Sequence, residues 1–241
     1  MKTSQTVADT LHYLADLGWE DLYRTPPGGG PAVAADPAAQ AGADDEPPAA
    51  AAAAGPGLDE LAARAETCTR CRLADTRQKV VFGTGDPRAR LLLVGEGPGA
   101  EEDRRGLPFV GRAGELLNKI LAAIGLRRED VYIANVVKCR PPGNREPQPD
   151  EVAACRSYLE AQIDTIRPEV LVCLGRVAAQ TLLGSDAPIG RTRGQWFKVR
   201  GVATMVTYHP AALLRNEALK RPTWEDMQQV RDRLRETAES R

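Results

Sequence analysis

"RLLLVGEGPG" (90–99) places a run of apolar residues directly before a turn carrying three glycines. A short, continuous apolar run that stops at glycine reads as a buried strand leading into a loop. Glycine-rich turns of this kind commonly cradle phosphate. Here Glu96 stands in the middle of the turn, and Glu101, Glu102 and Asp103 follow. Their charge would repel a phosphate, so the loop is shaped for close approach to something else.

The same unit recurs along the chain. "VYIANVV" (131–137), "EVLVCLG" (169–175) and "VATMVTY" (202–208) are further apolar runs. Helical patterns follow the four runs near 113–124, 149–166, 176–183 and, after "PAALLR", 222–239. This alternation predicts a three-layer α/β/α sandwich with a central, mostly parallel four-stranded sheet. In such sheets functional groups collect at the carboxyl ends of the strands. That directs attention to Glu96, the stretch Asn135–Arg145, Gly175 and His209.

The regular pattern begins at Leu58, so residues 58–241 are expected to be the globular domain. Residues 26–57 are Ala/Pro/Gly-rich with almost no large apolar side chains, and read as a flexible, disordered linker. Within 1–25, Val7, Leu11, Leu14 and Leu17 recur at helical spacing. They predict an N-terminal helix, read either as a docking helix for an unknown partner or as a poorly ordered tail. This segment has acidic residues and no continuous apolar stretch after its lysine, so it does not read as a secretion signal. No apolar run approaches the roughly 20 residues that span a bilayer. The expectation is a cytoplasmic monomer without membrane attachment.

The 241 residues carry 32 Lys+Arg against 33 Asp+Glu, a net charge of −1. That excludes a globally basic nucleic-acid binder, and any such contact must come from a local patch. The five cysteines, an odd number, argue against a disulfide framework. Cys68 and Cys71 form C-x-x-C, with Cys139 and Cys155 far downstream. Four thiolates suit a structural zinc ion or an iron–sulfur cubane, whose ligands tolerate wide separation. No thioredoxin-like βαβ pattern surrounds the C-x-x-C, which weakens a redox dithiol reading. Cys173, inside "VLVCLG", reads as a buried strand residue.

"GEGPGAEEDRRGLPFVGRAGELL" (95–117), "NVVKCRPPGNREP" (135–147), the four cysteines and "HPAALLR" (209–215) occur in an order that resembles family 4 uracil-DNA glycosylases, the iron–sulfur branch of that superfamily. The resemblance covers about 58–230. It implies a base-excision repair hydrolase that flips uracil out of single- or double-stranded DNA and releases it, leaving an abasic site. It implies a structural 4Fe-4S cluster on Cys68, Cys71, Cys139 and Cys155.

Catalysis would fall to Glu96, Asn135 and His209. The uracil-binding set adds Gly95, Gly97 and Phe109. The Asn135 amide offers a donor to O4 and an acceptor to N3–H, the pattern that cytosine reverses. His209 would donate to O2 as charge develops, and Phe109 would stack on the base. Glu96 would face the cation-like sugar, as carboxylates do in glycoside hydrolysis. Arg140, Asn144, Arg145 and Arg215 are expected at the DNA, with Leu213 and Leu214 as wedge candidates. Glu101, Glu102 and Asp103 read only as capping or solvated residues. Some relatives capture uracil-DNA covalently through a histidine in an inserted basic loop. The stretch "RPPGNREP" after Cys139 has no histidine and no long insertion, which favours turnover.

Overall fold

The computed structural model describes residues 57–239. The expected N-terminal helix and all but the last residue of the expected linker lie outside them. The six strands are β1 (Thr84–Gly85), β2 (Leu91–Gly95), β3 (Tyr132–Asn135), β4 (Val170–Leu174), β5 (Trp196–Val199) and β6 (Val202–Thr207). They form one sheet in the order β1-β3-β2-β4-β6-β5. The four expected strands β2, β3, β4 and β6 are its parallel centre. Two short antiparallel strands, β1 and β5, extend the edges and bring the total to six.

β2, β3 and β4 are buried from end to end and β6 over its last four residues, which is why they read as apolar runs. The main helices are α1 (Leu58–Glu66), α2 (Ala100–Arg105), α3 (Arg112–Ala123), α4 (Pro149–Ile166), α5 (Arg176–Leu183), α6 (Ile189–Thr192), α7 (Pro210–Leu213) and α8 (Lys220–Glu239). Alternate strand residues face opposite layers. Leu92, Val94, Tyr132, Ala134, Leu171 and Cys173 join Leu61 and Ala65 of α1 and Tyr158, Leu159 and Ile163 of α4 in one core. On the other side α8 packs against β4 and β6. Among the described residues no helix is long and apolar enough to cross a membrane.

Parallel register sets up the site. Gly95 pairs with Asn135 across β2 and β3, so the loops after these strands leave the sheet side by side. Beyond the strands, Val136 N–H donates to Gly95 O at 2.9 Å and Val137 N–H to Glu96 O at 3.2 Å. On the other side Gly175 N–H donates to Thr207 O at 2.9 Å, holding the start of α5 beside the strand that leads to His209.

Candidate active site

A cavity of about 490 Å³ opens where these loops meet. Glu96, Gly97, Phe109, Asn135, Asn144, Arg145, His209 and Arg215 all line it, so most of the expected site residues converge there. Gly95 lies just beneath. A Cβ on it would come 2.5 Å from Asn135 Oδ1 and 2.7 Å from Phe109 Cζ. Only glycine lets the amide and the ring close over the end of β2.

Asn135 is 1% exposed, and its Oδ1 is the one buried side-chain polar atom without a hydrogen-bond partner among the described residues. Leaving such an acceptor unpaired costs about 1–3 kcal/mol. A native fold tolerates that where a ligand supplies the donor.

Phe109 is buried in a left-handed conformation (φ 52°) that a bulky residue rarely adopts. Three residues shape it. Arg128 donates to the carbonyl oxygens of Phe109 (2.9 Å) and Pro108. Glu102 accepts from the main-chain N–H groups of Val110 and Gly111, both at 3.0 Å. Gly114 leaves room for the Phe109 carbonyl, which would sit 1.9 Å from an added Cβ. Glu102 is therefore a brace for the aromatic loop and lines the cavity. Asp103 is also buried, accepting from Gln78 N–H at 2.9 Å. Glu102 thus caps the turn that follows, one of the two roles expected of it, whereas Asp103 neither caps that turn nor faces solvent: its partners are main-chain donors far back in sequence.

The Phe109 ring stacks on His209, with centroids 5.4 Å apart and planes 29° apart. His209 caps α7: its Nδ1 accepts from Ala211 N–H at 3.1 Å. An Nδ1 that accepts cannot carry a proton, so the ring is neutral with its hydrogen on Nε2. Burial, helped by the charge of Arg215, pushes the His209 pKa down to about 4, with Glu102 opposing. Gly175 (φ 95°) allows this approach, since a Cβ there would lie 2.9 Å from His209 Cβ.

Glu96 is half-buried, and its carboxyl is held above its ordinary value by burial and then by the charge of Glu146, with Arg176 opposing. Glu146 is a second carboxylate on the cavity wall that sequence reading missed. It is ion-paired with Arg176 at the start of α5, and Arg176 also donates to Gln180 Oε1 at 2.9 Å.

The expected DNA-facing residues divide. Arg140 Nε donates to Asn144 Oδ1 at 2.8 Å, which ties Arg140, outside the cavity lining, to a residue on it. Arg145 is committed to a bidentate pair with Glu151 (2.8 and 2.6 Å). Glu151 in turn caps α4 by accepting from Gln148 N–H at 2.7 Å. Arg215 is exposed at the cavity mouth. Leu213 is corrected: it is 0% exposed, a core residue of the α7 turn, whereas the adjacent Leu214 is 41% exposed. Of the two leucines, Leu214 alone is exposed.

The cysteines meet at a separate, smaller cavity lined by Cys68, Cys71, Cys139 and Cys155 together with Arg70, Arg77, Lys138 and Tyr158. None is in a disulfide. Among the described residues no three His, Cys, Asp or Glu side chains stand close enough to grip a single metal ion. Arg77 donates to Cys139 Sγ and Lys138 N–H to Cys155 Sγ, both at 3.3 Å. Burial pushes the Cys139 thiol up to about 11 and raises that of Cys155. Cys68 lies below its ordinary value: burial works against this, but hydrogen bonds involving Arg70 prevail. Cys173 is fully buried in β4, as expected, with its thiol raised by burial.

An α/β/α sandwich with an amide, an imidazole, an aromatic ring and a carboxylate around one cavity defines a receptor for a planar polar heterocycle. The family model of the uracil DNA glycosylase superfamily matches residues 82–228. The chain belongs to that superfamily. It is similar to a type-4 uracil-DNA glycosylase of Archaeoglobus fulgidus, 44% identical over 72% of this chain and 91% of the relative. A type-4 uracil-DNA glycosylase of Thermotoga maritima is 46% identical over 72% and 93%. One from Saccharolobus solfataricus is 41% identical over 73% and 86%.

Proposed function

We propose that this protein is a DNA-repair glycosylase that draws uracil out of DNA and hydrolyses its N-glycosidic bond. The observation that carries the reading is the orphaned Asn135 Oδ1 on the wall of a cavity that also holds Glu96 and His209. Uracil N3–H is the missing donor, and the same amide gives a hydrogen to O4. Cytosine offers N3 as an acceptor and an amino group as a donor, so it meets like against like at both positions.

The bond between C1′ and N1 breaks with its electrons passing to the base. Charge develops on O2, where the His209 Nε2–H donates from a neutral ring. The sugar becomes cation-like, and the Glu96 carboxylate stabilises it and orients a water toward C1′. The water oxygen bonds to C1′, its proton leaves to solvent or Glu96, and the uracil anion is protonated on release. Phe109 supplies an apolar wall for the base. Arg140, Asn144 and Arg215 supply contacts to the DNA backbone, and Leu214 fills the vacated stack. Arg145 acts through Glu151, stiffening the rim.

The four cysteines fit a structural 4Fe-4S cluster. They line one cavity without converging on a point, and cationic side chains surround them. Iron supplies the positive charge that stabilises buried thiolates where burial alone disfavours them. The cluster holds the segment after β3 to α1 and α4 and takes no part in the reaction. The functional unit is proposed to be residues 58–241, a cytoplasmic monomer, with residues 1–57 dispensable for excision.

The test is release of free uracil from a uracil-containing oligonucleotide beside a thymine-containing one. Release from the first alone is expected. Release from neither, by folded protein carrying its metal, contradicts the assignment.

A further inference from the structure

Lys138 is the largest fully buried side chain among the described residues, at 1% exposure. An ammonium in such a place is costly unless its hydrogens are bonded. Its Nζ donates to the main-chain oxygen of Asn135 at 2.8 Å and to Gln162 Oε1 at 2.5 Å. It lies 5.7 Å from the centroid of the Phe82 ring. Gln162 is itself fixed, because its Nε2 donates to Phe82 O at 2.9 Å and so turns Oε1 toward the lysine. Among the described residues no carboxylate pairs with Lys138. The negative groups it could meet are the thiolates of the cysteine cavity, which it lines.

Its own main chain is tied as well. The N–H donates to Cys155 Sγ at 3.3 Å, and the carbonyl accepts from Val81 N–H at 2.8 Å. The five residues 135–139 thus run from the base-reading amide to a cysteine of the cavity, bonded throughout. Val136 and Val137 hold the Gly95–Glu96 turn, and Lys138 reaches back to Asn135.

We infer that Lys138 is a positioning residue for base recognition: its Nζ fixes the Asn135 main chain at the end of β3 and so sets the carboxamide that reads uracil. The inference rests on the proposed uracil-excising activity. A flexible neutral side chain in its place would leave the Asn135 carbonyl without its internal donor and free the peptide that aims Oδ1. A catalytic geometry loosened by about 1 Å loses rate on the order of 10²-fold.

The experiment compares wild-type protein with Lys138→Met, which keeps the length and apolar stem. Four quantities are read: iron per chain, affinity for a thymine-containing duplex, single-turnover uracil release, and inhibition by free uracil. The expected result is on the order of 10²-fold slower release and weaker inhibition by free uracil, with iron content and duplex affinity unchanged. Release and inhibition equal to wild type overturn the inference. So does loss of iron in the variant, because the lysine would then serve the cysteine cavity rather than the base. If Lys138→Met does not fold, Gln162→Leu removes the other acceptor and is expected to slow release roughly tenfold with the same selectivity; unchanged release there overturns the inference. A wild-type chain that neither releases nor binds uracil sinks the activity assignment, whereas equal release by both proteins sinks this inference alone.

Discussion

Two cavities share the segment 135–139, and they are finished to different degrees. The larger, about 490 Å³, contains a buried acceptor with no partner, a neutral histidine held in one tautomer and an aromatic residue in a strained backbone conformation. In the smaller, two of the four thiols are already touched by donors: Arg77 on Cys139 and the Lys138 N–H on Cys155. An open hydrogen bond suits an occupant that arrives and leaves with each turnover. A pocket lined by four cysteines, two of them buried with bonded sulfurs, suits one that stays. The difference teaches that polar groups near one another in sequence can serve recognition on one side of a chain segment and architecture on the other.

Substitutions should separate the two sides. The largest effects belong to the recognition side. Asn135→Asp keeps an acceptor but loses the donor to O4, and uracil release should fall by about 10²-fold or more. His209→Ala removes the oxyanion donor and should cost about 10²–10³-fold. In both variants DNA affinity should persist, because phosphate contacts carry it. Binding titrations beside single-turnover assays check the pair; a loss of DNA binding parallel to the loss of rate would erase the distinction.

On the architectural side the order reverses. Cys139→Ala or Cys155→Ala should lose iron and melt earlier, with residual activity tracking the fraction that stays folded. Cys173→Ser should keep its iron, since β4 carries that residue away from the cavity. Metal analysis and thermal melts decide this. A colourless wild-type protein with one zinc per chain would overturn the cluster while leaving the uracil site standing.

Acid pH sharpens the recognition side. In the proposed mechanism Glu96 acts ionised, and burial, with the charge of Glu146, raises its carboxyl above its ordinary 4.5. His209 stays neutral down to about 4. As pH falls, Glu96 therefore protonates first, and the acid limb of the single-turnover rate should lie above pH 4.5. Glu96→Gln should remove the limb while lowering the plateau. His209 adds a stability effect of defined sign. Its folded value is depressed from 6.5 to about 4, so the unfolded chain takes up the proton first and stability declines as pH falls through that window. Melting curves at pH 7 and pH 5 measure it.

The leucine pair offers a local version of the same contrast. Leu213→Ala should destabilise the fold by about 2–5 kcal/mol, as truncation of a core leucine does. Leu214→Ala should leave the melt unchanged and slow excision from duplex more than from single strands. The smallest effect is expected from Arg140→Ala: weaker DNA binding with a shallower salt dependence and an unaltered excision step.

Much of this was legible in the sequence because buried parallel strands announce themselves as apolar runs. β2, β3, β4 and β6 stand where the four runs fall, and Glu96, Asn135 and His209 sit at three of their ends. The edge strands were not legible: β1 is two residues long, and β5 is largely half-exposed, so neither leaves a continuous apolar signal. Glu102 and Asp103 read as capping or solvated acids because an acidic helix start is ordinary. Their main-chain partners at 110–111 and 78 appear only once the chain is folded. Glu146 was missed for the same reason, since it reaches the cavity through the turn at Pro142–Asn144. Leu213 and Leu214 are neighbours on one helical turn, and a single residue's rotation separates core from surface.

The central claim is that the unpaired oxygen of Asn135 awaits uracil. A crystal structure of the protein with free uracil tests it most directly. The account predicts N3–H donating to Asn135 Oδ1 and His209 Nε2 donating to O2, with the base against Phe109. Uracil bound elsewhere, or bound in this cavity with Asn135 Oδ1 still unpaired, would contradict it.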